Sequence, residues 1–226
     1  YKYDVEAMAK KITPDTKIVY IANPDNPTGT YISKTEFDYL MKHVHPHTIV
    51  ILDEAYFEFA KEWPDYPDSM DYRYDNVVTL RTFSKAYGLG GIRVGYGFGH
   101  GDLISALHKV KLPFEPSLAA QKGAFGALKD KPHLVRTLFN NKERQQELMD
   151  FLQKHDFRPI PSVCNFVTFK TGSEQASLDL YNGLLDEGVI IRPLRANLMP
   201  DHVRVSIGTT EEMSHFYEAM DKILPT

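Results

Sequence analysis

The sequence has little of what marks secreted, membrane-spanning or nucleic-acid-binding proteins. Its 226 residues include one cysteine, which excludes an internal disulfide and fits a reducing compartment. No apolar run approaches the roughly 18 to 20 residues of a membrane-spanning helix. Lysine and arginine are nowhere concentrated, and the net charge is -4 with both signs interspersed, so neither nucleic acid nor an anionic membrane is an expected partner. We expect a cytoplasmic protein in which Cys164 is a small core residue.

The start of the chain also lacks something. The sequence begins at Tyr1 without an initiator methionine and reaches a helix and then a strand almost at once. We therefore expect further residues before Tyr1, with this chain as the later part of a longer protein. Its length suffices for one large domain or two modest ones.

Apolar runs of strand length alternate with helical patterns in the first part of the chain. The runs at 17–22, 48–52 and 76–80 read as strands that are covered on both faces. Between the first two runs, Ser33 and Glu36 have the spacing of a capping box and open a helix with apolar residues on one side. Strand alternating with helix predicts an α/β fold, with a three-layer, mostly parallel sheet in the large domain.

The pattern changes after a long amphipathic helix, which is predicted at about 132–154. Shorter strands and two helices follow it, with the strands expected at 165–169, 189–192 and 203–207. This order predicts a smaller C-terminal α+β domain. We place the large domain at 1–142 and the small domain at 143–226, with the long helix as the bridge.

Polar side chains stand where the strands of the large domain end. Asn26, Asp53 and Lys85 each follow the carboxyl end of a different predicted strand. Ligands of open α/β sheets bind beyond the carboxyl ends of the strands. We therefore expect these three side chains to converge on one rim of the sheet. A further, glycine-rich strand is expected at 92–98.

Lys85 and Asp53 together suit one cofactor. A lone lysine is usually a solvated surface residue, but Lys85 comes shortly after a buried strand and is flanked by hydroxyls and glycines. A lysine desolvated in such a place keeps more free amine and can form a Schiff base with an aldehyde. A carboxylate such as Asp53 keeps a pyridine nitrogen protonated, so that the ring can accept electrons. Pyridoxal phosphate needs both partners.

Neighbouring residues supply the other contacts that this cofactor needs. Tyr56 can donate a hydrogen bond to the phenolic oxygen of the ring, and Asn26 can reach the same oxygen from another loop. A phosphate needs hydrogen-bond donors, preferably charged ones. Such donors are available from Arg93, Thr82 and Ser84.

Two other patterns are set aside. His43, His45 and His47 alternate as metal ligands can. Pro46 interrupts them, and no cysteine or carboxylate stands at ligand spacing, so we expect an exposed loop and no metal site. The glycine-rich segment at 88–91 matches the first two glycines of a dinucleotide-binding G-x-G-x-x-G loop but lacks the third glycine of that motif. We therefore do not expect a dinucleotide-binding loop here.

Several stretches carry a resemblance to a known family. NPDNPTG at 23–29, LDEAY at 52–56 and TFSKAYGL at 82–89, followed by Arg93, resemble the ordered motifs of class I/II, fold-type I aminotransferases. The SKAYGL form and the closing VRVSIGT at 203–209 are most similar to the histidinol-phosphate aminotransferase branch of that family. The similarity extends over nearly the whole chain.

The resemblance implies roles for the matching residues. Lys85 would bind pyridoxal 5'-phosphate covalently and act as the general base that moves the substrate proton, while Asp53 pairs with the ring nitrogen. Arg204 matches the family arginine that binds an anionic group of the substrate, and Arg192 is a candidate for a second such contact. The remaining implied cofactor ligands are Tyr56 and Asn26 at the ring oxygen and Thr82, Ser84 and Arg93 at the phosphate.

The implied reaction is transamination by a homodimer whose sites are completed by the neighbouring subunit. The small-molecule amino donor would be histidinol phosphate. The 2-oxo acid acceptor would be 2-oxoglutarate. The segment at 111–116 stands where relatives often carry Pro-Phe-Asn, so the resemblance assigns no role to Glu115.

Three other functions fit the same motifs. An aromatic amino-acid aminotransferase of the same branch would differ in its donor. A decarboxylase of the same fold would release carbon dioxide without consuming a keto acid. The effector domain of a transcription regulator built on this fold would not be an enzyme, and it would need a DNA-binding module before Tyr1.

Overall fold

The computed structural model describes residues 1–72 and 74–224, which form two compact units. The first unit consists of Tyr1–Asp25 and Thr30–Val135. The second consists of Asn26–Gly29 and the described residues from Arg136 onward. The division falls within the long helix that the sequence predicts as a bridge, while the domain limits predicted from the sequence stay predictions.

The first unit is built on a four-stranded sheet in the order β1-β2-β3-β4. β1, β2 and β3 are parallel neighbours, and β4 pairs antiparallel with β3. The predicted α/β class with a mostly parallel sheet is therefore confirmed. In chain order the elements are α1 Val5–Lys11, β1 Ile18–Ala22, α2 Lys34–Met41, β2 Ile49–Asp53, α3 Phe57–Ala60, β3 Val77–Thr82, β4 Gly95–Gly99, α4 Gly101–Val110 and α5 Leu118–Lys129.

The two faces of this sheet differ. Successive side chains of a strand point to opposite faces, and on one face Ile21 and Leu52 pack into a core that Phe37 of α2 shares. The opposite face carries exposed apolar side chains, among them Ile18 and Tyr20 of β1. Polar groups that project from this second face are therefore accessible to a ligand.

Local signals set where the helices begin. The Ser33 hydroxyl accepts a hydrogen bond from the Glu36 N–H, and the Glu36 carboxylate accepts one from the Ser33 N–H, which confirms the predicted capping box. Asp130 precedes the long helix and accepts the His133 N–H at 3.0 Å. Among the helices of the described residues, none combines the length and the hydropathy that crossing a membrane requires.

The second unit has an antiparallel sheet in the order β5-β6-β8-β7, packed against helices. The predicted C-terminal α+β arrangement is confirmed. Its elements are α6 Lys131–Lys154, which begins in the first unit, then β5 Arg158–Ile160, β6 Phe166–Lys170, α7 Glu174–Asp186, β7 Arg192–Leu194, β8 Met199–Ser206 and α8 Thr210–Ile223.

The core of the second unit joins this sheet to its helices. Leu148 and Leu152 of α6, Leu184 of α7 and Phe169 of β6 have no exposed surface. Burying a leucine side chain contributes about 1.5 to 3 kcal/mol through the hydrophobic effect. Cys164 is buried as well, as predicted for a small core residue.

The strand predicted at 189–192 is wrong over most of its length. Gly188 has φ +81 and turns the chain after α7. Val189 and Ile191 then pack against the core from an irregular segment, and pairing starts only at β7. The apolar run is real, but the structure uses it for packing rather than for a strand.

The strand predicted at 92–98 begins later than expected. Residues Gly90–Ile92 form a single 3-10 turn, and Arg93 follows with φ 56. A non-glycine residue in this left-handed region interrupts an extended chain, so β4 starts only at Gly95. The interruption places Arg93 outside the sheet.

We predict that Leu184→Ala lowers the free energy of unfolding by about 2 to 5 kcal/mol, because it leaves a cavity in the core of the second unit. The next residue, Leu185, is 43% exposed and provides a matched control. Leu185→Ala should change stability by no more than about 0.5 kcal/mol. Urea unfolding of the two variants followed by circular dichroism tests this, and equal shifts would contradict the core assignment.

Candidate active site

Asp53 is the last residue of β2 and is only partly buried. Its Oδ1 accepts the Ala55 N–H at 3.2 Å, and its Oδ2 accepts a hydrogen bond from the hydroxyl of Tyr20 on β1. The sequence predicts that a carboxylate at this strand end needs partners. The structure supplies two, of which Tyr20 was not foreseen. The carboxylate is thereby held in one orientation at the end of the strand.

Lys85 lies in the turn that follows β3. The Gly88 N–H donates to the Lys85 carbonyl at 2.9 Å and closes the turn, in which Gly88 has φ +70. The Lys85 Nζ lies 5.4 Å from the centre of the ring of Tyr56, which is buried. Lys85 itself is exposed. The expectation that its amine is desolvated is therefore not met in this chain, because the turn directs Ala86 rather than Lys85 into the interior.

Two hydroxyls and a guanidinium gather beside this turn. The Thr82 hydroxyl lies 2.9 Å from Ser84 Oγ and accepts the Ser84 N–H at 3.1 Å. Arg93 Nη1 lies 3.5 Å from Ser84 Oγ and donates to the Gly90 carbonyl at 2.8 Å. Arg93 is exposed, so its other N–H groups can reach a ligand. Hydroxyls together with a guanidinium are the donor set that a phosphate prefers.

A buried ion pair lies behind these residues. Arg81 on β3 donates from Nε to Glu54 Oε2 at 2.8 Å, and its guanidinium carbon lies 3.3 Å from the centre of the Phe57 ring. Burial raises the pKa of Glu54 to about 7, and the charge of Arg81 acts against this rise. Asp53 and Thr82 are the immediate chain neighbours of the pair. This pair is not apparent from the sequence, because neither residue matches a catalytic pattern.

Glu58 is a second buried carboxyl in the same region. It lies on α3 with 4% of its surface exposed, and its Oε2 has no hydrogen-bond partner among the described residues. Burial raises the pKa of Glu58, although the charge of Arg81 lowers it. Burial and the nearby charge of Glu58 raise the pKa of Tyr87, in the turn of Lys85, to about 12. Glu58 therefore belongs to the layer that supports this turn.

The other predicted site residues lie in the second unit. Arg204 on β8 donates from Nη1 to Oδ1 of Asn26, and its guanidinium carbon lies 4.8 Å from the centre of the Phe166 ring. Because the amide oxygen of Asn26 faces the guanidinium, the amide nitrogen is the end that can donate to another oxygen. The Arg204 Nε is buried, with no hydrogen-bond partner among residues 1–72 and 74–224.

Arg192 and Arg204 stand directly opposite each other on β7 and β8. Like charges in this relation repel on an antiparallel sheet, unless an anion lies between or beside them. Both arginines line an open concavity of about 760 Å³. Ser206 and Tyr181 add hydroxyl groups to its lining. The concavity therefore suits a small anionic ligand.

The segment Asn26–Gly29 is bound tightly within the second unit. The Val163 N–H donates to the Gly29 carbonyl at 2.9 Å, and the Thr168 hydroxyl donates to the Pro27 carbonyl. Gly29 has φ +75, and a Cβ atom at this position would lie 2.1 Å from the Ser162 Oγ. Only glycine fits there.

The structure thus groups the predicted residues into two sets. Asp53, Tyr56, Thr82, Ser84, Lys85 and Arg93 lie in the first unit, and Asn26, Arg192 and Arg204 lie in the second. The histidine triplet has other contacts, since His43 Nδ1 lies 2.9 Å from the Tyr39 carbonyl oxygen. Within the described residues, no cluster of histidine, cysteine and acidic side chains could hold a metal ion.

Comparison with known proteins adds an independent observation. Residues 1–220 match the family described as aminotransferase class I and II. Histidinol-phosphate aminotransferase 2 of Methylococcus capsulatus is 38% identical over 226 residues, which are 99% of this chain and 60% of the relative. A protein of the same name from Pseudomonas fluorescens is 41% identical over 224 residues, with 98% and 60% covered. The chain thus spans about 60% of the length of these relatives.

Solved structures agree with this similarity. Histidinol-phosphate aminotransferase from Sinorhizobium meliloti, in complex with pyridoxal-5'-phosphate, has a TM-score of 0.87 and 28% identity, with 97% of this chain and 59% of that chain covered. The enzyme from Clostridium acetobutylicum has a TM-score of 0.87 and 27% identity, with 97% and 67% covered. Aspartate aminotransferase from Thermus thermophilus, at 22% identity and a TM-score of 0.81, shares the fold.

We predict that Glu58→Gln removes a pH dependence of stability. The pKa of Glu58 is raised in the folded state, so its contribution is present below its ordinary value of 4.5 and is lost as pH rises through the folded value. The glutamine variant should therefore become more stable relative to the parent protein as pH rises. Unfolding free energies measured between pH 4 and pH 8 test this. Glu62→Gln, at an exposed position of the same segment, is the control and should give a constant difference.

Proposed function

The chain belongs to the aminotransferase class I and II family, and we propose that the protein it comes from is a pyridoxal-phosphate-dependent aminotransferase. One observation carries the proposal. At and just after the carboxyl ends of two neighbouring parallel strands, the first unit presents a carboxylate, an exposed amine, and a set of hydroxyl and guanidinium donors. These residues are Asp53, Lys85, Thr82, Ser84 and Arg93.

The chemistry of these donors fits the cofactor. The hydroxyls of Thr82 and Ser84 and the guanidinium of Arg93 would bind its phosphate, and Asp53 would pair with its ring nitrogen. Pyridoxal phosphate, when bound, supplies an electron sink for charge that develops on the substrate carbon. Lys85 would hold the cofactor covalently and afterwards, as a free amine, carry the proton of the substrate carbon. The hydrogen bonds from the Ala55 N–H and the Tyr20 hydroxyl hold the carboxylate of Asp53 in one orientation.

For the reaction, we propose transamination between histidinol phosphate and 2-oxoglutarate, as a step of histidine biosynthesis. The names of the relatives support this choice of substrates. So does the concavity beside Arg192 and Arg204, which suits the anionic end of a substrate. A homodimer and a cytoplasmic location complete the proposal, and the role of Asn26 at the cofactor ring stays a prediction from the resemblance.

We predict that Lys85→Ala abolishes covalent attachment of the cofactor in the whole protein and lowers the transamination rate by roughly 10²- to 10⁴-fold or more, because both the anchor and the general base are lost. Visible absorbance after gel filtration and steady-state rates are the two measurements. Lys109→Ala, at an exposed position of α4, is the control and should keep both. Retained transamination by the Lys85 variant would contradict the proposal.

We predict that kcat/KM with histidinol phosphate exceeds kcat/KM with phenylalanine.

Arg204→Gln should lower kcat/KM for histidinol phosphate by about 10- to 100-fold, as expected for the loss of a hydrogen bond to a charged group. Arg158→Gln, at an exposed position on β5 of the same sheet, is the control. A preference for phenylalanine would instead indicate an aromatic amino-acid aminotransferase. Release of carbon dioxide without use of a keto acid would indicate a decarboxylase.

A further inference from the structure

Tyr20 contacts the candidate site from β1, a strand that carries none of the proposed cofactor ligands. It lies in the middle of β1, and 55% of its surface is exposed. Its hydroxyl nevertheless donates a hydrogen bond to Oδ2 of Asp53. An exposed tyrosine usually turns its hydroxyl to water, so this bond needs an explanation.

The register of the sheet explains how the two side chains meet. Tyr20 pairs with Ile51, and Ala22 pairs with Asp53, so Tyr20 is diagonal to Asp53 on neighbouring strands. Because side chains alternate between faces, the residue opposite Tyr20 and the residue two positions later share one face. Neighbouring strands lie about 4.8 Å apart and two residues of a parallel strand span about 6.6 Å, so a diagonal neighbour is about 8 Å away, which a tyrosine can span. The contact therefore follows from the backbone and needs no special loop.

The two hydrogen bonds of Asp53 leave room for a third partner. Oδ1 accepts the Ala55 N–H, and Oδ2 accepts the Tyr20 hydroxyl. An ionised carboxylate has about four acceptor positions, so each oxygen keeps one. Donors on both oxygens fix the plane of the carboxylate, which a single donor would leave free to rotate.

The phenol of Tyr20 is a dependable donor. Partial burial raises the pKa of Tyr20, and the hydrogen bond to Asp53 and the negative charge of that carboxylate raise it further, to about 12. The hydroxyl therefore stays protonated throughout the pH range in which an enzyme of this kind works. Oδ2 of Asp53 thus keeps its donor across that range.

We propose that Tyr20 is a positioning residue that holds the carboxylate of Asp53 in the orientation needed to receive a protonated ring nitrogen. The inference rests on the proposed function, since it assigns Asp53 to the cofactor ring. Tyr20 does not touch the reacting atoms, and it acts through Asp53 alone. Its loss should therefore weaken cofactor binding and slow turnover while leaving the affinity for the amino donor nearly unchanged.

The chain offers a matched control. Tyr31 also donates its hydroxyl to a carboxylate, that of Asp65, and burial together with this bond raises its pKa to about 12 as well. Asp65 has no place among the proposed cofactor ligands. Tyr31→Phe therefore removes the same kind of bond as Tyr20→Phe, away from the proposed site.

The experiment compares Tyr20→Phe with Tyr31→Phe in the whole protein. Pyridoxal phosphate is titrated into the apo form, and its dissociation constant is read from the visible absorbance. Tyr20→Phe should raise this constant by about 3- to 10-fold, since the bond involves a charged group but is partly open to solvent. It should also lower kcat with little change in KM for the donor. Tyr31→Phe should match the parent protein in all three quantities.

A double-mutant cycle tests whether Tyr20 acts through Asp53. Combined with Asp53→Ala, Tyr20→Phe should cause no further loss of cofactor affinity. An undiminished effect in the Asp53→Ala background, or equal behaviour of the two tyrosine variants, would overturn the inference. Failure of the proposed function would give a different result. The parent protein would then show no binding of pyridoxal phosphate that depends on Lys85.

Discussion

The arrangement of the first unit depends on the buried ion pair between Arg81 and Glu54. An arginine keeps its charge in a protein, so a buried guanidinium must be given an anion and a well-packed surface. The carboxyl groups of Glu54 and Asp68 both bond the guanidinium, and the ring of Phe57 supplies the surface. Each member of the pair is the chain neighbour of a candidate cofactor ligand, Asp53 in one case and Thr82 in the other. The pair therefore joins the ends of β2 and β3 at the point where those ligands leave the sheet.

Much of this architecture could be predicted from the sequence, because its signals are local. The continuous apolar runs of β1, β2 and β3 need no partner to be recognised, and the capping box before α2 is contained in four residues. Asp53 and Lys85 could be identified because each interrupts an apolar or glycine-rich stretch with a charge. The aminotransferase motifs are likewise contiguous, so they required no knowledge of the fold.

The features that escaped prediction depend on pairing between distant segments. Tyr20 lies within an apolar run, and only the register of β1 against β2 brings it to Asp53. The opposition of Arg192 and Arg204 likewise depends on how β7 and β8 align. The exposure of Lys85 was misjudged because flanking residue types do not fix the direction of a side chain in a turn. Arg93 was placed in a strand because a left-handed conformation at a non-glycine residue leaves no mark in the sequence.

Gly29 shows how a distant contact restricts which residue a motif can carry. Two separate obstacles exclude a side chain there, the positive φ and the approach of Ser162. Alanine at 162 would keep a Cβ atom 2.5 Å away, even glycine at 162 would ease only this second obstacle, and a relaxed loop would remove only the first. No single compensating substitution could therefore make a variant at position 29 acceptable. The glycine that closes the motif at 23–29 is thus required by a residue far along the chain as well as by its own backbone.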